Sequence, residues 1–259
     1  MSKTVVLIPS RLSASRLPRK PLLKINGLSV ISNVFKKAKE ADIGEVYVAT
    51  EDQEIFDDVQ LNGGNVILTS NKHKTGSDRI YECYEKLDLK NIDYIINLQG
   101  DEPNIDINDL KHLNKLVKSY KVDVGTLAAE IENQSKLSNE NIVKVITDKK
   151  ITIENFTIAV DFKRKIKDFN LNIYHHIGVY AYKPQILKKL ISFKQTNNEV
   201  KNRLEQLRAI DNGVKINVGL AKFCPIGIDT MEDYLALKKK LEYNSRNENC
   251  LSRCCRKLQ

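Results

Sequence analysis

The 259 residues contain no tryptophan and only 7% aromatics, and no basic stripe is interleaved with what aromatics there are. A stacking surface for nucleic acid is therefore not indicated. No apolar run approaches the roughly 20 residues that a membrane helix needs, so a membrane span is not expected. Met1 to Thr4 run straight into a short apolar stretch, without the charged start and long apolar run of a secretory signal, so a cytoplasmic chain is expected. The five cysteines form no CxxC pair and have no matching histidine spacing for zinc, so reduced thiols are expected. Three of them, Cys250, Cys254 and Cys255, fall in a polar, basic tail without period, and residues 244–259 are expected to be disordered. Neither GxGxxG nor GxxxxGK[ST] occurs, which removes the usual signals of dinucleotide-dependent hydride transfer and of phosphate-loop NTPases. Internal repeats and low-complexity linkers are also missing, as expected for one continuous domain.

What is present is positive charge, 42 Lys plus Arg against 33 Asp plus Glu, a net +9 that favours anionic partners. Short β-branched runs at Val5–Ile8, Val46–Ala49, Val66–Leu68 and Tyr94–Leu98 alternate with helical periods at Leu28–Ala41, Glu54–Leu61, Ser77–Leu87 and Asn108–Tyr120. Four successive βα units predict an α/β fold, a Rossmann-like, mostly parallel sheet with helices on both faces. After Lys121 the rhythm changes to strands at Gly125–Ile131, Ile142–Thr147, Ile151–Thr157 and Ile173–Tyr182 with hardly a helix between them. This predicts a smaller hairpin-rich lobe over 121–183. Helices at Pro184–Ile191 and Glu199–Ile210, a strand at Ile216–Ala221 and a last helix at Met231–Tyr243 return the chain to the α/β layer over 184–243. Residues 1–243 thus read as a single domain, with 1–120 as its nucleotide-binding part.

In an open parallel sheet, ligands collect beyond the carboxyl ends of the strands. The first strand ends there in Ser10 and Arg11, followed by a loop carrying Arg16, Arg19 and Lys20. Pro9, Pro18 and Pro21 reduce the entropy lost when this loop orders, which favours a phosphate-binding role over a solvated basic face. The fourth strand ends in Gln99, Gly100, Asp101, Glu102 and Pro103. Asp101 is a natural Mg²⁺ ligand, because Mg²⁺ takes oxygen donors and is commonly shared with phosphates. Asp106 or Asn108 is better placed to cap the next helix. A second acidic cluster, Asp229 to Asp233, reads equally as a helix start and as a metal site. Gly76 to Arg79 reads first as a helix N-terminus, which also suits a nucleotide.

The segments IPSRLSASRLPRKPL, TGSDR, LQGDEP, HHIGVYAY, RLEQLR and GIDTMEDY, taken in this order, resemble the CMP-Kdo synthetase family over about Val5 to Leu241. The resemblance implies a nucleotidyltransferase fold and a reaction of CTP with the sugar acid Kdo for lipopolysaccharide synthesis, in which the anomeric hydroxyl attacks the α-phosphorus and pyrophosphate leaves. It implies Arg11 and Lys20 on the triphosphate with Arg16 nearby, and Ser10, Ser77, Arg79 and Gln99 around cytosine and ribose. Asp101 and Asp229 would share Mg²⁺, and His176, Tyr180, Glu205 and Gln206 would line the sugar pocket. A homodimer built on the middle lobe is implied as well. Such chemistry demands positioning and charge neutralisation, so no nucleophilic cysteine or serine is expected.

Two departures stand out. The family's Phe-Ser-Arg segment, whose arginine faces the sugar acid, corresponds to Phe156, Thr157 and Ile158, and isoleucine has no cation to offer a carboxylate. Either Lys163 or Arg164 takes over, or the acceptor is another acidic sugar such as amino-Kdo or a nonulosonate, or the activity is weakened. The family's glycine in the first loop is Arg19, a residue able to crowd or to strengthen the triphosphate site. A catalytically idle CTP-binding or nucleic-acid-binding chain is the alternative from another class, and the retained Arg11, Lys20, Asp101 and Asp229 argue against it.

Overall fold

The computed structural model describes residues 3–13, 16–131, 133–166 and 172–255, with backbone alone for 134 and 244–255. Ala14 and Ser15 of the basic loop and residues 256–259 of the tail lie outside the described residues.

The first half consists of the expected βα units. In β1 (Lys3–Ser10), Val5, Val6, Leu7 and Ile8 are all fully buried, as a strand covered by helices on both faces requires. A small hairpin follows, β2 (Lys24–Ile25) and β3 (Leu28–Ser29), turned by Asn26 and Gly27 at φ 51° and 82°. It takes Leu28 and Ser29 out of the helix expected to start at Leu28. Ser29 instead caps α1 (Val30–Glu40), its hydroxyl accepting from the Ser32 N–H at 3.1 Å. Then come β4 (Glu45–Thr50), α2 (Gln53–Leu61), β5 (Val66–Leu68), α3 (Gly76–Leu87), β6 (Ile92–Asn97) and α4 (Ile107–Tyr120).

The second half comprises β7 (Val124–Ala129), α5 (Gln134–Ser138), β8 (Lys144–Thr147), β9 (Thr157–Lys163), β10 (Asn172–Tyr182), α6 (Pro184–Ser192), α7 (Asn197–Asn202), α8 (Leu207–Asp211), β11 (Asn217–Leu220) and α9 (Met231–Cys255). One nine-stranded sheet runs β5-β4-β1-β6-β10-β7-β11-β9-β8. Its first four strands are parallel, and β10 enters antiparallel between β6 and β7. β8 also pairs with β10, so β10, β7, β11, β9 and β8 form a closed circuit of paired strands. The hairpin-rich segment is therefore continuous with the main sheet. β10 is long enough to join both parts: Tyr180 to Tyr182 pair with β6, and Asn172 to His175 pair with β8. Between these stretches its register against β7 shifts from Ile177 to Tyr180, a bulge of the kind that re-aims side chains beside a site.

Helices cover both faces. Phe35, Leu110, Leu113 and Val117 pack on one side, Ile80, Cys83, Leu187 and Leu190 on the other. Among the described residues no helix is long and apolar enough to cross a membrane.

Three further expected elements differ, and one element was not expected. The strand expected at Ile151–Thr157 begins only at Thr157, because Thr152 and Asn155 pair with each other across a tight turn. The short helix α5, capped by Asn133, was not evident from periodicity. The last helix continues to Cys255, twelve residues beyond the expected Tyr243, through part of the tail expected to be disordered. Finally, the helix expected over Glu199–Ile210 is two helices, broken at Arg203 with φ 54°. Glu199 and Arg208 are both buried and joined by an Nε–Oε2 bond of 2.8 Å and an Nη2–Oε1 bond of 2.5 Å. Nine residues in a straight helix are two and a half turns, which would put these side chains on opposite faces. The break lets them meet and turns Glu205 and Gln206 toward the sheet.

Candidate active site

The carboxyl ends of β1 and β6 lie side by side. A Cβ on Gly100 would come within 2.8 Å of the Pro9 carbonyl oxygen, so only glycine permits this approach. Immediately after it, Asp101 accepts from Lys20 Nζ at 2.6 Å through Oδ2, while its backbone carbonyl accepts from the Ile228 N–H at 3.0 Å. Lys20 Nζ also donates to the Ile228 carbonyl at 2.7 Å and stands 3.7 Å from Asp229 Oδ1. Arg16 Nη2 approaches the same Asp229 oxygen at 2.9 Å. Two carboxylates far apart in sequence thus flank one ammonium.

Local structure leaves these carboxylates available. Asp106 caps α4, accepting from the Asn108 N–H at 2.7 Å. At the start of α9, Thr230 and Asp233 do the capping: Asp233 Oδ2 accepts from the Thr230 N–H at 2.9 Å and Thr230 Oγ1 from the Asp233 N–H at 3.2 Å. In the cluster 229–233 the helix start thus belongs to Thr230 and Asp233, while Asp229 is directed to the cations Arg16 and Lys20. The segment leading to it is held from α4, where buried Asp109 accepts the N–H groups of Lys222 and Phe223 at 3.0 and 3.1 Å.

Two cavities adjoin at this point. The smaller, about 460 Å³, is lined by Ser10, Arg11, Lys20, Arg79, Gly100 and Asp101 among others; the larger, about 760 Å³, by Ser77, Glu102, His176, Tyr180, Tyr182, Glu205 and Gln206 among others. Arg16, Gln99 and Asp229 line both. Arg11 is exposed at the mouth of the smaller cavity and, among the described residues, makes no ion pair, so its guanidinium can take an incoming anion. Arg79 is committed: it is 3% exposed, pairs with Glu51 and donates to Thr69 Oγ1 at 2.7 Å. Gln99 donates to the Gly178 carbonyl in the β10 bulge at 3.3 Å.

In the larger cavity burial controls protonation. Burial holds His176 down at about 3, so its imidazole is neutral, and its Nε2 lies 3.3 Å from Thr126 Oγ1. Its ring stands edge-on to Phe162 with centroids 5.0 Å apart and tilted to Tyr180 at 5.3 Å. Burial also raises Glu205, opposed by hydrogen bonds from Ser77 and Thr75. Glu102 is pushed up to about 8, first by burial and then by Asp101 and Asp229, against the opposing influence of Lys20. Its Oε2 has no hydrogen-bond partner among the described residues.

The structure therefore gathers Ser10, Arg11, Arg16, Lys20, Arg79, Gln99, Asp101 and Asp229 around the smaller cavity, and His176, Tyr180, Glu205 and Gln206 around the larger. Ser77, read as a nucleotide contact, lines the larger cavity beside Glu205 instead, because it lies on the far side of the α3 N-terminus from Arg79. Ile158 lines neither cavity: it sits in β9 opposite Asn217 of β11, with its N–H donated to Asp148 Oδ1 at 2.9 Å. Nor do its proposed substitutes, since Lys163 pairs with Asp161 at 3.0 Å and Arg164 donates to the carbonyls of Glu140, Asn202 and Arg203. The isoleucine thus gives no ground for a changed acceptor or a weakened site. Arg19 turns away from the triphosphate side and pairs with Glu54 through both nitrogens, one bond being 3.0 Å. Its φ of 61° is the left-handed conformation that glycine adopts without strain. Sequence reasoning missed Glu102 although it adjoins Asp101, since nothing in the local pattern announces that its Oε2 is buried. It also missed Asp52, whose carboxylate fixes the loop through the Leu12 N–H at 2.7 Å.

Comparison with known proteins agrees with this geometry. A 3-deoxy-manno-octulosonate cytidylyltransferase of Thermodesulfovibrio yellowstonii is 40% identical over 92% of this chain and 98% of its own. One from Rhodopseudomonas palustris is 39% identical over 93% and 99%. The solved structure of CMP:2-keto-3-deoxy-manno-octonic acid synthetase complexed with CTP is 31% identical, covers 95% of this chain and 100% of its own, and superposes with a TM-score of 0.82. Residues 5–216 match the cytidylyltransferase family, and with these relatives covering nearly the whole length, the chain belongs to that family.

Proposed function

We propose that this chain transfers CMP from CTP to the anomeric hydroxyl of Kdo, releasing pyrophosphate and supplying activated sugar for lipopolysaccharide. The observation that carries this reading is the junction of the two cavities. A nucleotide-sized space lined by Arg11, Lys20 and Asp101 opens beside a larger one, and Asp229, which shares the Lys20 ammonium with Asp101, lines both. Relatives at about 40% identity bearing the corresponding name support the substrate pair.

Mg²⁺ fits this donor set. Asp101 and Asp229 offer hard oxygen ligands around a point already stabilising to a cation, the Lys20 ammonium. Mg²⁺ is usually bound by one or two carboxylates together with substrate phosphates, so the pair would share the ion with phosphate oxygens. When bound, Mg²⁺ neutralises charge developing on the α-phosphate. Arg11 and Lys20 hold the triphosphate from the strand-end loop, and Arg79 braces the cavity wall. Neutral His176 and the half-buried Glu205 and Gln206 orient the sugar by hydrogen bonds to its hydroxyls. The same reading has the enzyme in the cytoplasm as a homodimer, with exposed Val160 of β9 as one apolar residue available for the contact.

The test is pyrophosphate release from CTP with Kdo, compared with 8-amino-Kdo and N-acetylneuraminate, in titrated Mg²⁺. Kdo should be the best acceptor; a clear preference for another acid would refute the assignment. Asp101→Asn and Asp229→Asn should each slow turnover by at least about 100-fold, since each removes charge from a metal contributing several kcal/mol. Calorimetric Mg²⁺ binding in the presence of CTP should weaken in both variants.

A further inference from the structure

Resting on that reading, we propose that Lys136 is the residue that pairs with the carboxylate of the acidic sugar. The larger cavity carries the carboxylates of Asp229 and Asp233 in its lining, so an anionic sugar entering it requires a cation. Three cationic side chains line it: Arg16, Arg208 and Lys136. Arg208 is engaged with Glu199 in a buried two-bond pair. Arg16 is held by Asp229 at 2.9 Å and faces the nucleotide cavity as well. Lys136 is half-buried, lines the larger cavity alone, and makes no ion pair among the described residues.

Its position follows from the local fold. Asn133 caps α5, accepting from the Ser135 N–H at 3.0 Å, which seats this short helix between β7 and β8 on the cavity rim. Asn139, Asn141 and His175 line the same wall, giving polar groups beside the ammonium. His175 is held down at about 4, by burial first and then by Lys136 and Lys144, so the imidazole adds no charge there. Lys144, the other nearby lysine, is bound to the carbonyls of Asn139 and Arg164 at 2.6 and 2.7 Å and leaves the task to Lys136. With Ile158, Lys163 and Arg164 all directed elsewhere, a lysine on α5 supplies the charge that the middle strands do not. An ammonium on a flexible stem acts as a point charge, so arginine should substitute for it and a neutral amide should not.

The experiment measures initial rates of the full chain with CTP, Mg²⁺ and Kdo, together with the carboxamide analogue of Kdo. Lys136→Gln should raise the KM for Kdo by about tenfold or more, leave the KM for CTP within about twofold, and leave the melting temperature unchanged. Lys136→Arg should restore most of the Kdo affinity. The preference of the wild type for Kdo over its carboxamide should shrink in Lys136→Gln by the same factor, a response that a merely structural role would not produce. Arg16→Gln should raise both KM values, because Arg16 borders both cavities. An unchanged Kdo KM in Lys136→Gln, with an active wild type, overturns the assignment and leaves the proposed function intact. A wild type that releases no pyrophosphate with Kdo overturns the functional reading and this assignment with it.

Discussion

Lys20→Met removes one ammonium and keeps most of the aliphatic stem, so its effects on folding and on catalysis can be compared directly. In the free protein Lys20 Nζ makes two short bonds, to Asp101 at 2.6 Å and to the Ile228 carbonyl at 2.7 Å, and stands 3.7 Å from Asp229. The ammonium is mostly buried, with 14% exposure, whereas the Asp101 and Asp229 side chains are 31% and 39% exposed. Both carboxylates can therefore regain water when the partner is lost. A hydrogen bond to a charged group contributes about 1.5–3 kcal/mol, and this rehydration places the total loss near about 2 kcal/mol. For a chain of this size that corresponds to roughly 4–8 °C in melting temperature and leaves the protein folded at 25 °C. Turnover should fall much further, by about 10²–10³-fold, because a cation aimed at developing phosphate charge contributes about 3–4 kcal/mol. Thermal melting and initial rate on the same preparation give both numbers. A melting shift beyond about 15 °C with activity lost in proportion would make Lys20 a structural strut, and a near-normal rate would remove it from the site.

Breaking the Glu199–Arg208 pair by Arg208→Met should cost about 3–5 kcal/mol by stranding a buried carboxylate, and Glu199→Met with Arg208→Met should recover more than half of that in urea titration. Full stability in the single variant would show that the break between α7 and α8 is maintained by packing alone. Stability should also decline on acidification through the histidines: His176 and His175 are depressed to about 3 and 4 in the fold but titrate near 6.5 when unfolded. The unfolded chain binds the extra protons below about pH 6.5, so this contribution is fully present above that pH and is lost as pH falls toward 3–4. At pH 5 each histidine accounts for about 2 kcal/mol of the loss. His176→Gln should remove about half of this loss between pH 7 and 5 in urea titration, and an unchanged slope would mean that His176 is protonated in the native state.

Much of this protein can be read along the chain, because the relevant physics is local. Fully apolar β1, helical periods and the cap residue Asp106 depend on neighbours a few positions away, and they predicted the βα order and the strand ends where the site lies. The cations at Arg11 and Lys20 and the carboxylate at Asp101 were legible for the same reason, since strand ends in parallel sheets collect ligands. Tertiary structure decided what depends on distant partners. Asp229 joined Asp101 only because Lys20 and the Ile228 N–H bridge segments more than a hundred residues apart. The split between α7 and α8 follows from a buried ion pair that a helical period cannot register, and the burial of Glu102 follows from what packs around it. Ile158, which by its place in the sequence stood for a missing arginine, turned out to pair in β9 away from both cavities. Lys136 carries no signal in a charged, lysine-rich chain, and its importance arises from the absence of an ion-pair partner among the described residues around the larger cavity, which is a property of three-dimensional charge balance.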